Sequence, residues 1–296
     1  MTALPGIALD EWRSQGLSFT FGKHVIRYWV AGAEDAEPLL LIHGFPTASW
    51  DWHYLWAPLA ARYRVIACDM LGFGDSDKPR PHRYSLMEQA DIQQALLKHL
   101  RISGPVHVLA HDYGDSVAQE LLARHLEGLS KLASCVFLNG GLFPETHYPV
   151  LAQRLLLSPL GVVFSRLFTR EKMASNFAAV FGPKTQPTES ELDDFWSLIA
   201  TNDGAGVMYR LIHYIPERRL RRHRWVHAMQ NTEVPMRVID GAVDPISGAH
   251  MVERYRQLIP DADTVLLSDI GHYPQVEAPD QVLEHYLQFR QQLEQA

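Results

Sequence analysis

The stretch Val106–His125, VHVLAHDYGDSVAQELLARH, decides the fold. It opens on an apolar run of strand length and passes almost at once into an amphipathic helical pattern. Between the two stands Ala110-His111-Asp112-Tyr113-Gly114. Small residues two positions either side of a central one fit a sharp strand-to-helix turn, where the backbone passes too close to itself for a bulky Cβ substituent. The central side chain then stands exposed above the sheet edge. Here it is Asp112, whose charge is also favoured at a helix N-terminus. Asp is equally an ordinary helix N-cap, so the rest of the chain must decide. A serine reading exists in Gly114-Asp115-Ser116-Val117-Ala118. It would carry the strand through His111–Gly114 and start the helix four residues late, so Ser116 is read as a residue of the first helical turn.

Outward from this turn, short apolar runs alternate with helical patterns, the signature of a mostly parallel sheet covered by helices. Leu17–Gly22 and His24–Ala31 read as an opening hairpin. Further strands are expected at Pro38–His43, Arg64–Asp69, Val106–Ala110, Leu132–Leu138, Met236–Asp240 and Thr264–Ser268, giving an eight-stranded α/β sheet. Helices are expected at about Trp50–Arg62, Leu86–Leu100, Asp115–His125, Gly248–Leu258 and Asp280–Leu293. Between Leu138 and Met236 no convincing strand occurs. We read 144–226 as an inserted helical cap, with 1–143 and 227–296 as the two parts of the core.

Two more groups fall where a triad needs them. After the strand MRVID comes Gly241-Ala242-Val243-Asp244-Pro245, and after TVLLS comes Asp269-Ile270-Gly271-His272-Tyr273-Pro274. Catalytic groups of open α/β sheets gather in such loops at the strands' carboxyl ends, in the order nucleophile, acid, histidine. His272 is the expected general base and Asp244 its orienting partner. The other place for an acid, after LASCVFL, holds Asn139. Upstream, PLLLIH runs into His43-Gly44-Phe45-Pro46, a turn whose backbone N–H serves an oxyanion hole. The N–H groups of Phe45 and Tyr113 are the expected donors, with His43 holding the turn.

Composition narrows the function. The chain has 296 residues, 47% hydrophobic, enough for a full core, and a formal charge of −7 that disfavours a nucleic-acid or membrane surface as its main partner. The basic run Arg218–Arg224 (RRLRRHR) reads as a solvated helix face. Cys68 and Cys135 both sit in strand-like runs and read as buried free thiols. No CxxC or HExxH motif, basic-then-apolar leader or membrane-length apolar run is found, so a cytoplasmic protein is expected.

Six segments carry a resemblance: HGFPTASWDW (43–52), DMLGFGDSDKPRP (69–81), AHDYGDSVAQELL (110–122), NGGLFPETH (139–147), FGPKTQPTESEL (181–192) and GHYPQVEAP (271–279). Together they resemble the mesoderm-specific transcript proteins and their bacterial relatives, in the epoxide hydrolase and haloalkane dehalogenase branch of the α/β-hydrolase family. The resemblance covers nearly the whole chain and implies the α/β-hydrolase fold. It also implies an aspartate that attacks carbon to give an alkyl-enzyme ester, which a histidine-activated water then hydrolyses.

The resemblance also frames the choice of leaving group. Haloalkane dehalogenases grip the halide with N–H donors, commonly a Trp after the nucleophile and an Asn or second Trp. The matching positions here are Tyr113 and Phe45. Fluoroacetate dehalogenases place an Arg after the nucleophile, again where Tyr113 stands. Epoxide hydrolases use cap tyrosines as O–H donors, and Tyr214, then Tyr209, then Tyr148 are the expected ones. Trp50, Trp52, Phe45, Phe143, Phe177 and Trp196 suggest an apolar pocket between core and cap. The expected function is hydrolysis of an apolar epoxide, with no cofactor or metal implied. Water and a small organic substrate are the partners, and a homodimer is left open. The alternatives are a dehalogenase or other hydrolase using the same aspartate, an ester hydrolase using Ser116, and a non-catalytic receptor that keeps the pocket.

Overall fold

The computed structural model describes residues 4–295, so the first three residues of the N-terminal stretch lie outside it. Eight strands form one sheet: β1 (Leu17–Phe21), β2 (His24–Ala31), β3 (Pro38–Ile42), β4 (Arg64–Cys68), β5 (Val106–His111), β6 (Leu132–Leu138), β7 (Met236–Gly241) and β8 (Thr264–Leu267). Their spatial order is β1-β2-β4-β3-β5-β6-β7-β8. β2 runs antiparallel to both β1 and β4, and every pairing from β4 to β8 is parallel. The hairpin turn is Gly22-Lys23, with Gly22 at φ 61°, a conformation glycine adopts without steric strain. All six residues of central β5 are buried, as a strand covered on both faces requires. Its neighbours β3 and β6 are nearly as apolar. This layering positions every loop that matters at one sheet edge.

Two expectations need correction. The helix expected over Trp50–Arg62 is a 3₁₀ turn, Ser49–Trp52, followed by a separate helix, Trp56–Ala60. Pro58 explains the break: it has no N–H to donate back along a continuous helix and is tolerated only in a first turn. Asp69 holds the 3₁₀ turn by accepting from the N–H and hydroxyl of Ser49 (2.9 and 2.5 Å). Short helices at Leu9–Gln15 and Pro274–Glu277 were not anticipated.

Between β6 and β7 the chain is helical throughout: Leu151–Leu157, Gly161–Arg166, Arg170–Val180, Glu189–Ala200, Met208–Leu211 and Tyr214–Asn231, with a 3₁₀ stretch at Thr201–Val207. Glu189–Ala200 starts on a reciprocal cap in which Thr188 and Glu191 each accept from the other's backbone N–H (3.2 and 2.7 Å). The last helix does not stop at 226. It runs on to Asn231 and packs along the Tyr113–Leu126 helix of the sheet layer. Glu120 seals that contact. Its buried carboxylate accepts from Arg224 Nε (2.8 Å), Trp225 Nε1 (2.9 Å) and Arg124 Nε (2.9 Å). Burial alone would raise its pKa, but these donors hold it below the usual range.

The turn at Ala110–Gly114 leaves no room for a larger residue. A Cβ on Gly114 would lie 2.4 Å from the Ile42 carbonyl oxygen and 2.7 Å from that of His43. Gly114→Ala is therefore expected to destabilise the fold by about 1–3 kcal/mol through overpacking. A urea midpoint unchanged from the parent protein would contradict this.

Candidate active site

Asp112 occupies the turn between β5 and the Tyr113–Leu126 helix at φ 48°, ψ −103°, a conformation that a non-glycine residue holds only where its surroundings impose it. Within the turn the strain falls on this residue alone. Ser116 lies three residues into the helix, fully buried, with its hydroxyl oxygen accepting from Arg218 Nε (2.6 Å). It has neither the position nor the freedom of an attacking group.

The Asp112 carboxylate is nearly enclosed. The Phe45 backbone N–H donates to its Oδ2 (3.0 Å), from the turn that follows β3. Arg218 Nη2 lies 3.5 Å from Oδ1 and donates to the Asp112 carbonyl oxygen (2.7 Å). Burial pushes this carboxyl up, but the Arg218 and His272 charges with the Phe45 N–H together bring it below the usual range. It is therefore an anion at neutral pH.

His272 donates from Nδ1 to Asp244 Oδ2 (2.7 Å). Asp244 is fixed in turn by the Ile246 N–H (2.8 Å), the Ser247 N–H (3.1 Å) and hydroxyl (2.9 Å), and Asn139 Nδ2 (3.0 Å). Asn139, at the vacant acid position after β6, thus supports the acid after β7. Burial opposes a charge on His272, yet Asp244 and, less strongly, Asp112 raise its pKa to about 9. His111 donates from Nε2 to the His272 carbonyl (2.8 Å).

The remaining expected residues divide. His43 accepts the Met70 N–H at Nε2 (3.0 Å) and donates from Nδ1 to the Gly44 carbonyl (2.8 Å), so both ring nitrogens are spent on the turn. Tyr113 and Tyr214 are buried together, ring centroids 5.0 Å apart, and the Tyr214 ring lies 5.8 Å from that of Phe45. Burial and the Asp112 charge push the Tyr214 phenol up, so its O–H keeps its proton. Tyr209 is elsewhere, its hydroxyl accepting from Arg210 Nε (2.8 Å), and Tyr148 is 56% exposed and stacks on His250. Trp50 donates its indole N–H to the Ile7 carbonyl (2.9 Å), and Trp196 packs on Phe168. Neither Trp lines the cavity beside His272, and Trp52 and Phe143 do not either. Trp50, Trp52 and Phe143 are buried in the core instead, and Trp196 stands behind Phe168 of the lining.

That cavity is bounded by Phe45, Pro46, Ile246, His272 and Tyr273 from the sheet loops and by apolar residues such as Leu156, Met173 and Phe177 from the helical segment. Its polar lining is sparse: Gln153, which reaches the Tyr214 hydroxyl (3.4 Å), and Asn176 besides His272 and Tyr273. A larger depression, about 360 Å³ against 70 Å³, lies at the amino ends of β5 and β6. That is the wrong edge for the loops bearing these groups. Among the described residues no three His, Cys, Asp or Glu side chains converge to hold a metal, and no helix is long and apolar enough to cross a membrane.

Arg218, Gln153 and Tyr273 were missed from sequence. The run Arg218–Arg224 is a solvated face only in part: Arg219, Leu220 and His223 are exposed, but Arg218 is 1% exposed, and Arg222 and Arg224 are paired with Glu145, Glu120 and Glu127. A signal for Arg218 existed, because it follows Tyr214 by four residues on one helix face. Its guanidinium lies 4.5 Å from the Tyr214 ring centroid.

Sheet order and connectivity are those of one class, and the chain belongs to the α/β-hydrolase family, whose description, alpha/beta hydrolase fold, it matches over residues 37–279. It is 44% identical over 296 residues to the mesoderm-specific transcript protein of Mus musculus, covering 95% of this chain and 88% of that one. The Mycobacterium tuberculosis protein LipZ is 39% identical over 276 residues, covering 92% and 94%. A solved haloalkane dehalogenase variant from Bradyrhizobium elkanii matches with a TM-score of 0.78 at 20% identity, over 94% and 97% of the two chains, a likeness of fold.

Proposed function

We propose that the protein hydrolyses an apolar epoxide through a covalent ester on Asp112, with the helical segment between β6 and β7 serving as the cap over the site. The observation that carries the reading is the state of Asp112: a carboxylate held anionic at the strained turn, with Oδ2 on a backbone N–H and Oδ1 left to attack.

The chemistry follows from that placement. Oδ1 gives its electron pair to an epoxide carbon, the ring C–O bond breaks, and the freed oxygen takes a proton from a nearby Tyr O–H. Water then adds to Cγ while His272 Nε2 takes its proton, and charge develops on Oδ2 where the Phe45 N–H already points. Collapse breaks the bond from Cγ to the substrate oxygen, which takes the proton back from His272 and leaves as the diol. The Asp112 carboxyl gives its proton to the tyrosinate, restoring carboxylate and phenol. A carboxylate suits this sequence because the ester it forms can be cleaved by water, whereas a serine attacking an sp³ carbon would leave an inert ether.

Epoxide is favoured over halide by what surrounds the cavity. No Trp lines it, and the indole of Trp50 is spent on Ile7. A tyrosine hydroxyl stands beside it instead, that of Tyr214 against Gln153 of the lining; Tyr273 lines the cavity as well, with its O–H donating to the Phe45 carbonyl (3.5 Å). Tyr214→Phe removes one O–H and leaves the packing, and it is expected to slow ester formation about 10²–10³-fold, the usual loss of one such donor. Hydrolysis of the preformed ester should be unaffected. Tyr273→Phe tests the second donor in the same way. A panel of epoxides, haloalkanes and aryl esters decides the class. Turnover confined to haloalkanes, or wild-type epoxide opening in both Tyr variants, would overturn the epoxide reading.

A further inference from the structure

We propose that Arg218 is a positioning residue for Asp112: reaching in from the Tyr214–Asn231 helix, it fixes the strained turn and keeps the attacking oxygen charged, so that Asp112 is armed only while that helix is seated. This rests on Asp112 being the attacking group.

The geometry is that of a clamp. One guanidinium spans Asp112 and the helix behind it, donating to the Asp112 carbonyl (2.7 Å) and to Ser116 Oγ (2.6 Å) and facing Asp112 Oδ1 at 3.5 Å. Its remaining nitrogen lies 3.5 Å from His147 Nδ1, and its flat face covers the Tyr214 ring. The planar fork of arginine can make these contacts at once, and a lysine ammonium cannot. Arg218 is 1% exposed, so an anion opposite it is required, and Asp112 is that anion.

The other titratable groups around Asp112 leave this role to Arg218 and His272. His43 after β3, His111 of β5 and His147 after β6 are neutral, pushed by burial to about 4, 3 and 3. Burial raises the phenols of Tyr214 and Tyr273, and it raises Asp51, Asp115 and Asp240 well above the carboxylate range. Glu277 faces His272 from the following helix. At rest, then, Asp112 and Asp244 stand against Arg218 and His272. Ester formation cancels the Asp112 charge and leaves Asp244 and Glu277 as the anions facing His272. One of the influences holding the imidazole protonated is gone, and the neutral base that water activation needs becomes easier to reach. Hydrolysis restores the Asp112–Arg218 pair.

The test is a carboxylate titration in the unliganded protein, using ¹³C-labelled Asp and NMR, with the Asp112 signal assigned by its loss in Asp112→Asn. Arg218→Met should raise the Asp112 midpoint by about 1–3 pH units, the usual influence of an adjacent arginine. Arg218→Gln, which keeps hydrogen-bonding capacity without charge, should do the same if the Met variant fails to fold. Arg218→Lys should keep the midpoint low yet lower kcat more than it raises KM, since charge returns without the fork. With a substrate that is turned over, the acid limb of kcat/KM should move with the midpoint in each variant. A folded Met or Gln variant whose Asp112 titrates as in the parent would overturn the proposal. Should the titration shift while no ester ever forms on Asp112, the clamp stands and the covalent reading alone fails.

Discussion

Asp112→Ala is expected to lower turnover by about 10⁴–10⁶-fold, the range found when a group that works as part of a unit is removed. Neither Ser116 nor any neighbour can replace it, because Ser116 is bonded to Arg218 and lies off the turn. Its loss also leaves Arg218 buried without a counter-charge, which costs about 3–5 kcal/mol, so the thermal midpoint should fall as activity vanishes. The stronger measurement uses the parent protein. Water attacks Cγ of the ester, so a single turnover in H₂¹⁸O should place label in the Asp112 carboxylate, found by mass spectrometry of the peptide that carries it. Turnover that puts label only in the product would mean that water attacks the substrate directly.

The second large effect belongs to His272. His272→Gln leaves Asp112 and the Phe45 N–H in place, so attack on the substrate should continue. The ester formed should persist, since no base remains to take the water proton. Intact-protein mass spectrometry should then show one substrate-sized adduct per chain, and steady-state turnover should fall by about 10⁴-fold or more. The pH dependence carries a sign. His272 is raised to about 9 in the resting protein, chiefly by Asp244. Ester hydrolysis needs the neutral ring and should rise with pH, and its midpoint should lie below 9 because the Asp112 charge is absent from the ester. Normal turnover in the Gln variant would remove His272 from the reaction.

What could be read from sequence was whatever short-range pattern encodes. The β5 run, the small residues flanking Asp112 and the glycine-punctuated loops holding Asp244 and His272 are local signals, and the structure places those three side chains together with Phe45. The positions of the strands along the chain also followed, with ends misplaced by one residue. What could not be read depends on which face of a helix turns inward. RRLRRHR is polar but for Leu220, which is exposed, and the seating of Trp225 and Arg224 on Glu120 of the sheet-layer helix turns Arg218 into the site. The three expected tyrosines show the same limit. Tyr214 is inside, Tyr209 is tied to Arg210, and Tyr148 lies at the surface. Their side chains are chemically identical, and long-range packing alone sorts them.

The helix that begins at Tyr214 and ends at Asn231 makes the two ends of the inserted segment unlike each other. The front end leaves β6 through a loop, held at Asn139 by Asp244 and at Glu145 by Arg222 and Arg254. The rear end is a continuous rod locked to the sheet layer by Glu120, Arg224 and Trp225. Exchanging this segment with that of a relative is therefore not a swap of interchangeable parts. A graft seamed at 226 severs the rod in mid-turn, and one seamed after Asn231 imports foreign residues at 218 and 224 opposite a resident Asp112, Ser116 and Glu120. Lid and floor must be transplanted as matched halves, which ties change in one to change in the other.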